Sequence, residues 1–188
     1  GVNPGKIILT GVGKSEAEIR EGLEKDLFMI KAESEEELHL INEVAGQMNK
    51  TAKVAIRVNP DVDALTHPYI STGLAENKFG VNTEEALRLY KLQNELKNIK
   101  FTGIDMHIGS QIIKIKPYVD AVEKLSALFF EIKKMGIDLT HFDIGGGMGV
   151  KYKDEDVFEI TKYANELIPL FKKIGCEILF EPGRYFTA

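Results

Sequence analysis

Three short polar clusters each follow an apolar, strand-like run, and their side chains could together do chemistry. They are His107-Ile-Gly-Ser-Gln111 after FTGIDM, Gly145–Gly147 after HFDI, and Glu181-Pro-Gly-Arg184 after EILF. The clusters supply an imidazole, amides without side chains, a carboxylate and a guanidinium. Because active-site residues of α/β barrels lie where strands open into loops, we expect the clusters to converge. Such a set suits an anionic, aromatic ligand.

The glycine cluster predicts an anion site. Gly145, Gly146 and Gly147 are consecutive, and Ser110 could add a hydroxyl from the first cluster. Consecutive amides without side chains can approach a phosphate closely and donate hydrogen bonds to it. A tight barrel turn without a ligand would use the same glycines, so the residues alone leave both interpretations open.

The charged and aromatic residues of the clusters have structural alternatives too. His107 could be a satisfied structural residue at a strand end or a ligand group. Glu181 and Arg184 could pair with each other, although a strand outlet beside a glycine loop favours ligand binding. Arg57, inside the apolar run VAIRVNP, needs a partner, which could be a ligand or a carboxylate such as Glu181.

Strand-like runs and amphipathic helical patterns alternate along the chain, which predicts parallel strands. Two helical patterns open with plausible capping boxes, Ser15 with Glu18 and Ser34 with Glu37. A third begins at Pro117 and carries an apolar stripe, and a last one runs from about Val157 to Ile174 and ends at Gly175. The strand-like runs lie at Ile7–Val12, Phe28–Ala32, Val54–Asn59, Gly103–Ile108, Phe142–Ile144 and Glu177–Phe180.

The number of strands decides between two α/β architectures. An open doubly wound sheet usually carries G-x-G-x-x-G after its first strand, and that motif is absent here. Loop residues concentrated after several successive strands fit a barrel better. A complete (β/α)8 TIM-type barrel usually needs about 250 residues. We therefore predict an incomplete barrel, with about six of eight βα steps, in this chain of 188 residues.

Composition excludes several classes of function. The net charge of −5 without a basic stripe argues against nucleic acid. No apolar run is long enough to span a membrane, and the single cysteine, Cys176, cannot form an internal disulfide, so we expect a cytoplasmic protein. Paired cysteines, H-E-x-x-H and G-x-S-x-G are absent, which argues against a metal site or Ser-His-Asp chemistry.

Five motifs in order give the chain a resemblance to a known family. They are THPYISTGL from Thr66, ENKFGV from Glu76, HIGSQ from His107, DIGGGMGV from Asp143 and EPGRY from Glu181. Together they closely resemble the diaminopimelate decarboxylases, which belong to the alanine-racemase-like (fold-type III) class of pyridoxal-phosphate enzymes. The resemblance implies a lyase of lysine biosynthesis that converts meso-diaminopimelate to L-lysine and CO2.

The resemblance also implies roles for individual residues. His107 would stack on the pyridine ring, while Ser110 and the Gly145–Gly147 amides would hold the cofactor phosphate. Glu181 would hydrogen-bond the pyridine nitrogen, and Gly183 and Arg184 would complete the EPGR element, with Arg184 near phosphate or a substrate carboxylate. The KFG lysine, Lys78, would make a charge contact near the interface of a homodimer.

Departures from the family pattern leave alternatives open. The family's Schiff-base lysine and C-terminal β-domain have no counterpart in residues 1–188, so we expect the central part of a barrel domain that is inactive alone. Tyr185 is typical of ornithine-type enzymes, which keeps ornithine, arginine and carboxynorspermidine as alternative substrates. A non-catalytic pyridoxal-phosphate-binding homologue and a sugar-phosphate isomerase also remain, and Lys31 could be a cofactor ligand by pattern alone.

Overall fold

The computed structural model describes residues 1–63, 79–154 and 156–188. Within these residues, six strands alternate with six α-helices. The strands are β1 Ile8–Leu9, β2 Met29–Ala32, β3 Ala52–Arg57, β4 Ile99–Asp105, β5 His141–Asp143 and β6 Glu177–Leu179. The helices are α1 Glu16–Glu24, α2 Glu35–Gln47, α3 Thr83–Lys91, α4 Lys116–Lys134, α5 Ile160–Ile174 and α6 Gly183–Thr187.

The strands form one sheet in the order β1-β2-β3-β4-β5-β6, and every neighbouring pair is parallel. A doubly wound sheet reverses its strand order at a switch point, whereas a barrel keeps its strands in sequence. The sequential order therefore confirms the predicted barrel type, with six consecutive βα steps.

The sheet is curled, as a barrel requires. In a flat sheet β2 and β6 would lie about 19 Å apart, because neighbouring strands are spaced by about 4.8 Å. The ammonium Nζ of Lys31 on β2 nevertheless lies 3.1 Å from Oε1 of Glu181, two residues beyond β6. One lysine and one glutamate side chain together cannot span the roughly 19 Å of a flat sheet, so the sheet must curl until the inner faces of its strands converge.

Helix α4 packs its predicted apolar stripe against the sheet. The Phe129 ring meets the Phe142 ring of β5 edge to face, with centroids 5.7 Å apart. Its neighbours on the same face are all fully buried, and they are Tyr118, Val122, Leu125 and Ile132. Pro117 lies in the first turn, as predicted, where its missing N–H costs no intrahelical hydrogen bond.

Helix ends largely follow the predicted signals. Ser15 and Glu18 form the reciprocal capping box that begins α1. Ser34 caps α2, but the carboxylate of Glu37 accepts from the Glu33 amide, so the second half of the predicted box is not made. Helix α5 begins at Ile160, three residues later than predicted, and ends at Gly175 in the left-handed conformation.

The two outermost strands, β1 and β6, each have one strand neighbour. Beside β6 lies an apolar groove of about 670 Å³. It is lined by residues of α5, of β6 with the segment that follows it, and of α6, and these include Phe171, Phe180 and Phe186. The THPYISTGL motif, His67 and Lys78 lie outside the described residues. None of the described helices is long and apolar enough to cross a membrane.

Candidate functional site

The carboxyl ends of β2, β4, β5 and β6 bring one ammonium and three carboxylates together. The Lys31 Nζ lies 2.8 Å from Asp105 Oδ1, 2.6 Å from Asp143 Oδ2 and 3.1 Å from Glu181 Oε1. Lys31, Asp105 and Asp143 are buried, whereas Glu181 keeps 29% of its side chain exposed. The cluster is therefore a buried ion network with one member, Glu181, at its open side.

Burial and charge act against each other in this network. Burial alone lowers the pKa of the Lys31 ammonium, but the carboxylates of Asp105, Asp143 and Glu181 raise it, and the net shift is upward. Burial raises the pKa of Asp105, the positive charge of Lys31 lowers it, and the negative charge of Asp143 raises it. The net shift of the Asp105 pKa is also upward. Lys31 is thus held as an ammonium ion by the three carboxylates.

His107 lies just beyond β4, and its tautomer is set by the glycine loop. The Gly146 amide donates to His107 Nδ1 at 3.3 Å, so the ring proton is assigned to Nε2. Burial lowers the pKa of His107, and the positive charges of Arg57 and Lys31 lower it further. A neutral imidazole results, which suits stacking on an aromatic ring.

The glycine loop after β5 is held on three sides. The Gly145 amide donates to Asp143 Oδ1 at 2.8 Å, and the Gly145 carbonyl accepts from the Glu181 amide at 2.8 Å. The Tyr118 hydroxyl of α4 donates to the Gly146 carbonyl at 3.0 Å. The glycine loop is therefore held in place by β5, by the segment after β6 and by α4.

The loops after β4 and β5 run side by side, so the first two sequence clusters meet as predicted. The Ile112 amide donates to the Gly147 carbonyl at 2.9 Å, and Gly149 donates to the Ile112 carbonyl at 3.0 Å. A β-carbon on Gly147 would overlap the carbonyl oxygen of Gly109, and Ser110 follows directly. Among the described residues, the Gly147 amide has no hydrogen-bond partner. The Gly147 amide and the exposed Ser110 hydroxyl are therefore neighbouring donors for an anion.

The arginines are placed differently from the predicted pairings. Arg57 Nη1 donates to both carboxylate oxygens of Glu33, at 2.8 and 3.0 Å, so its partner is Glu33 and not Glu181. Arg184 Nη1 donates to the Tyr152 hydroxyl at 2.8 Å. In the described part of the chain, Arg184 and Glu181 make no ion pair, which leaves the Glu181 carboxylate to Lys31 and to a ligand.

The sequence did not predict the ion network of Lys31 with Asp105 and Asp143. Each is a charged residue within or at the end of an apolar strand, and that signal was available in the runs MIKA, FTGIDM and HFDI. The signal could not identify the partners, because the three residues lie on strands that are up to three positions apart in the sheet.

We expect the pKa of His107 to lie below that of an ordinary histidine, because burial and the positive charges of Arg57 and Lys31 disfavour the imidazolium. Two-dimensional ¹H–¹⁵N NMR of the imidazole rings in the purified protein should give a pKa below 6.5 and a proton on Nε2 at pH 7. Since the folded pKa is depressed, the stabilising contribution of neutral His107 is present above pH 6.5 and is lost as the pH falls through the folded pKa. An imidazolium at pH 7 would contradict this assignment.

The donor set fits pyridoxal phosphate. Free donors at Gly147 and Ser110 suit a phosphate, the neutral His107 ring suits stacking, and three carboxylates with one ammonium suit a pyridinium at Glu181. In fold and in the position of this site, the chain is an α/β-barrel protein with its candidate site at the carboxyl ends of the strands.

The chain belongs to the pyridoxal-dependent decarboxylases. The family model described as "Pyridoxal-dependent decarboxylase, pyridoxal binding domain" matches residues 1–188. This match confirms the predicted family, the decarboxylase class and pyridoxal phosphate as the cofactor of that family.

Curated relatives and solved structures agree with the family. Diaminopimelate decarboxylase of Haemophilus influenzae is 49% identical over 100% of this chain and 46% of its own length. The Helicobacter pylori enzyme complexed with L-lysine superposes with a TM-score of 0.92 at 38% identity, over 98% of this chain and 47% of that one. An arginine decarboxylase of Paramecium bursaria Chlorella virus bound to agmatine gives 0.79 at 26% identity, over 99% and 47%. The chain thus spans about half the length of the relatives it matches.

Proposed function

We propose that the full-length protein containing this chain decarboxylates meso-diaminopimelate to L-lysine and CO2 with pyridoxal phosphate. The observation that carries the proposal is the 49% identity to a diaminopimelate decarboxylase across the whole chain. The site geometry supports it, because the convergent groups match the chemical parts of the cofactor. When bound, the cofactor supplies an electron sink for the electron pair left by departing CO2.

The positions of these groups support a role for each of them at the cofactor. Of the three glycine amides expected at the phosphate, that of Gly145 donates to Asp143 and that of Gly146 donates to His107. The Gly147 amide and the Ser110 hydroxyl are therefore the groups that bind the phosphate, in a loop shaped by Gly145 and Gly146. Neutral His107 stacks on the ring, and Glu181 holds the proton at the pyridine nitrogen because it carries negative charge at the open side of the network.

Gly183 and Arg184 lie at the edge of the candidate site, where Gly183 shapes the chain and Arg184 offers a positive charge. Gly183 begins α6 and lets the chain turn beside Glu181, since its amide donates to the Glu181 carbonyl at 2.8 Å. Arg184 is exposed and bonded through one nitrogen to Tyr152, so a second nitrogen can meet a phosphate or a substrate carboxylate. The hydroxyl of Tyr152 sets the direction of that guanidinium.

We further propose that residues 1–188 are the central part of a barrel domain in a cytoplasmic homodimer. The apolar groove beside β6 supports the first part, because a following βα unit of the full-length protein would cover it. The match to about half of each relative agrees with further structure elsewhere in the protein. Light scattering on the purified full-length protein tests the dimer.

Decarboxylases of basic amino acids form the second candidate, and Tyr185 together with the likeness to a viral arginine decarboxylase favours it. A panel of diaminopimelate, ornithine, arginine and carboxynorspermidine, assayed for CO2 release by the full-length protein, separates the two. We expect diaminopimelate to be preferred by at least about 100-fold in kcat/KM, a ratio in the range that buried polar contacts supply. Turnover of ornithine or arginine alone would overturn the substrate assignment, and binding of the cofactor without any turnover would favour a non-catalytic homologue.

A further inference from the structure

Lys31 is a fully buried charge for which the proposed chemistry has no role. It lies on β2, whereas the proposed cofactor-binding residues follow β4, β5 and β6. Its Nζ contacts carboxylates from β4, from β5 and from the segment after β6. Because burying an ammonium is costly unless it is paired, an interaction with three partners at this place calls for an explanation.

Lys31 orients Glu181 directly. Glu181 Oε1 lies 3.1 Å from the Lys31 Nζ, which ties one carboxylate oxygen to the network. With 29% of the side chain exposed, the remaining surface of the carboxylate is left for a ligand. A bond to a fully buried ammonium therefore restricts the rotation of the one carboxylate that faces the candidate site.

Lys31 also reaches the glycine loop through Asp143. One oxygen of Asp143, Oδ2, lies 2.6 Å from Nζ, and the other, Oδ1, accepts from the Gly145 amide at 2.8 Å. The Gly145 carbonyl in turn accepts from the Glu181 amide at 2.8 Å. Three hydrogen bonds and the Lys31–Glu181 ion pair thus connect Lys31, Asp143, Gly145 and Glu181 in a closed ring, which links the Glu181 carboxylate to the glycine loop.

The charges make this ring dependent on the ammonium. Ligand oxygens of Asp105, Asp143 and Glu181 lie within 4.8 Å of one another, a grouping that could also hold a metal ion. The Lys31 ammonium lies against all three carboxylates, where such an ion would otherwise bind. Without it, three carboxylates at this distance could not all stay ionised, so one would gain a proton or swing away.

We propose that Lys31 is a positioning residue, whose ammonium fixes the orientation of Glu181 and of the glycine loop and so pre-organises the site for pyridoxal phosphate. This inference rests on the proposed function, since it assigns a role towards the same cofactor. It makes no use of Lys31 as an attachment point, because the ammonium is engaged by the three carboxylates.

A double-mutant cycle on the full-length protein tests the proposal. The dissociation constant of pyridoxal phosphate is measured by absorbance titration of the apoprotein for the wild type, K31M, E181Q and K31M/E181Q. We expect K31M to weaken binding by about 30-fold in the wild-type background and by about 5-fold in the E181Q background, where the remaining effect acts through Asp143 and the glycine loop. The difference between the two is the coupling of Lys31 with Glu181. Methionine keeps the apolar stem of lysine and removes only the charged group.

A matched control comes from a second buried lysine. Lys14 pairs with Glu37 at 3.0 Å, and its side chain is 3% exposed, but it makes no contact with Glu181 among the described residues. K14M should change the dissociation constant by less than about 3-fold in both backgrounds, because it lies outside the ring of hydrogen bonds. Equal effects of K31M and K14M would mean that Lys31 acts only through general stability.

A second readout uses the apoprotein and needs no cofactor. Thermal unfolding should show that K31M lowers the midpoint more at pH 8 than at pH 5, because the carboxylates left without an ammonium can take up protons at the lower pH. Should K31M not fold, K31Q replaces it in both experiments, since its amide keeps a donor and lacks the charge.

The outcomes separate the two levels of the proposal. Wild-type protein that does not bind pyridoxal phosphate overturns the proposed function and this inference together. Wild-type protein that binds, with a K31M effect that is unchanged in the E181Q background, overturns the inference alone. The expected reduction of the K31M effect in that background supports both.

Discussion

Replacing Gly147 by alanine is expected to lower the free energy of unfolding by about 4 kcal/mol or more, a loss typical of strain combined with a steric clash. Gly147 has φ +86°, a conformation that costs an L-residue about 1–2 kcal/mol. In addition, a β-carbon there would overlap the carbonyl oxygen of Gly109, which is backbone and cannot rotate away. Urea unfolding of the full-length protein measures the loss, and the loop would also lose its affinity for pyridoxal phosphate.

Gly136 provides a matched control for this substitution. It has the same φ of +86°, but a β-carbon there would meet nothing within 4 Å. G136A should therefore cost only the conformational part, about 1–2 kcal/mol, and leave cofactor affinity unchanged. Equal losses for G136A and G147A would show that the close approach of the β4 and β5 loops contributes nothing.

Replacing Glu181 by glutamine is expected to lower kcat on diaminopimelate by about 10²–10³-fold, the scale of removing one preorganised electrostatic group. The amide keeps an oxygen for Lys31 but carries no negative charge to hold the proton at the pyridine nitrogen. Steady-state CO2 release by the full-length protein measures the change. The dissociation constant of the cofactor, measured in parallel, should rise much less, by about 10-fold, because phosphate and ring contacts remain.

Glu177 is the matched control on the same strand. It lies at the start of β6, at the opposite end from Glu181, and its side chain is 67% exposed and pairs with His141. E177Q should leave kcat within about 2-fold of the wild type, since exposed ion pairs contribute little. If E181Q behaves like E177Q, Glu181 is not the residue that supports the cofactor.

Much of the fold could be predicted from the sequence because its signals are local. The alternation of apolar runs with amphipathic stretches predicted all six strands and their parallel direction, and the polar clusters after successive strands predicted a barrel, which keeps its strands in sequence. Pro117 and the Ser15–Glu18 pair marked helix starts for reasons that lie within one turn. The start of α5 was misplaced by three residues, because Val157 fits the apolar pattern but lies outside the helix.

In the candidate site, too, the local motifs could be predicted from the sequence and the contacts between distant residues could not. His107, the glycine loop and Glu181 could be identified by sequence alone, since each is a short motif directly after a strand, and their order gave the family that the comparisons confirm. The sequence did not predict the hydrogen-bond and ion-pair partners of the charged residues. Arg57 bonds Glu33 and Glu181 bonds Lys31, and both pairings join residues that are distant in the chain.

The sequence by itself thus determined the elements, their order and the chemical groups that follow them, because turn, capping and alternation signals act over a few residues. Only the tertiary structure decided that the sheet curls far enough for β2 to reach the segment after β6. That curvature places the Lys31 ammonium among three carboxylates, and a charge in a strand finds its partners only when the strands close around it.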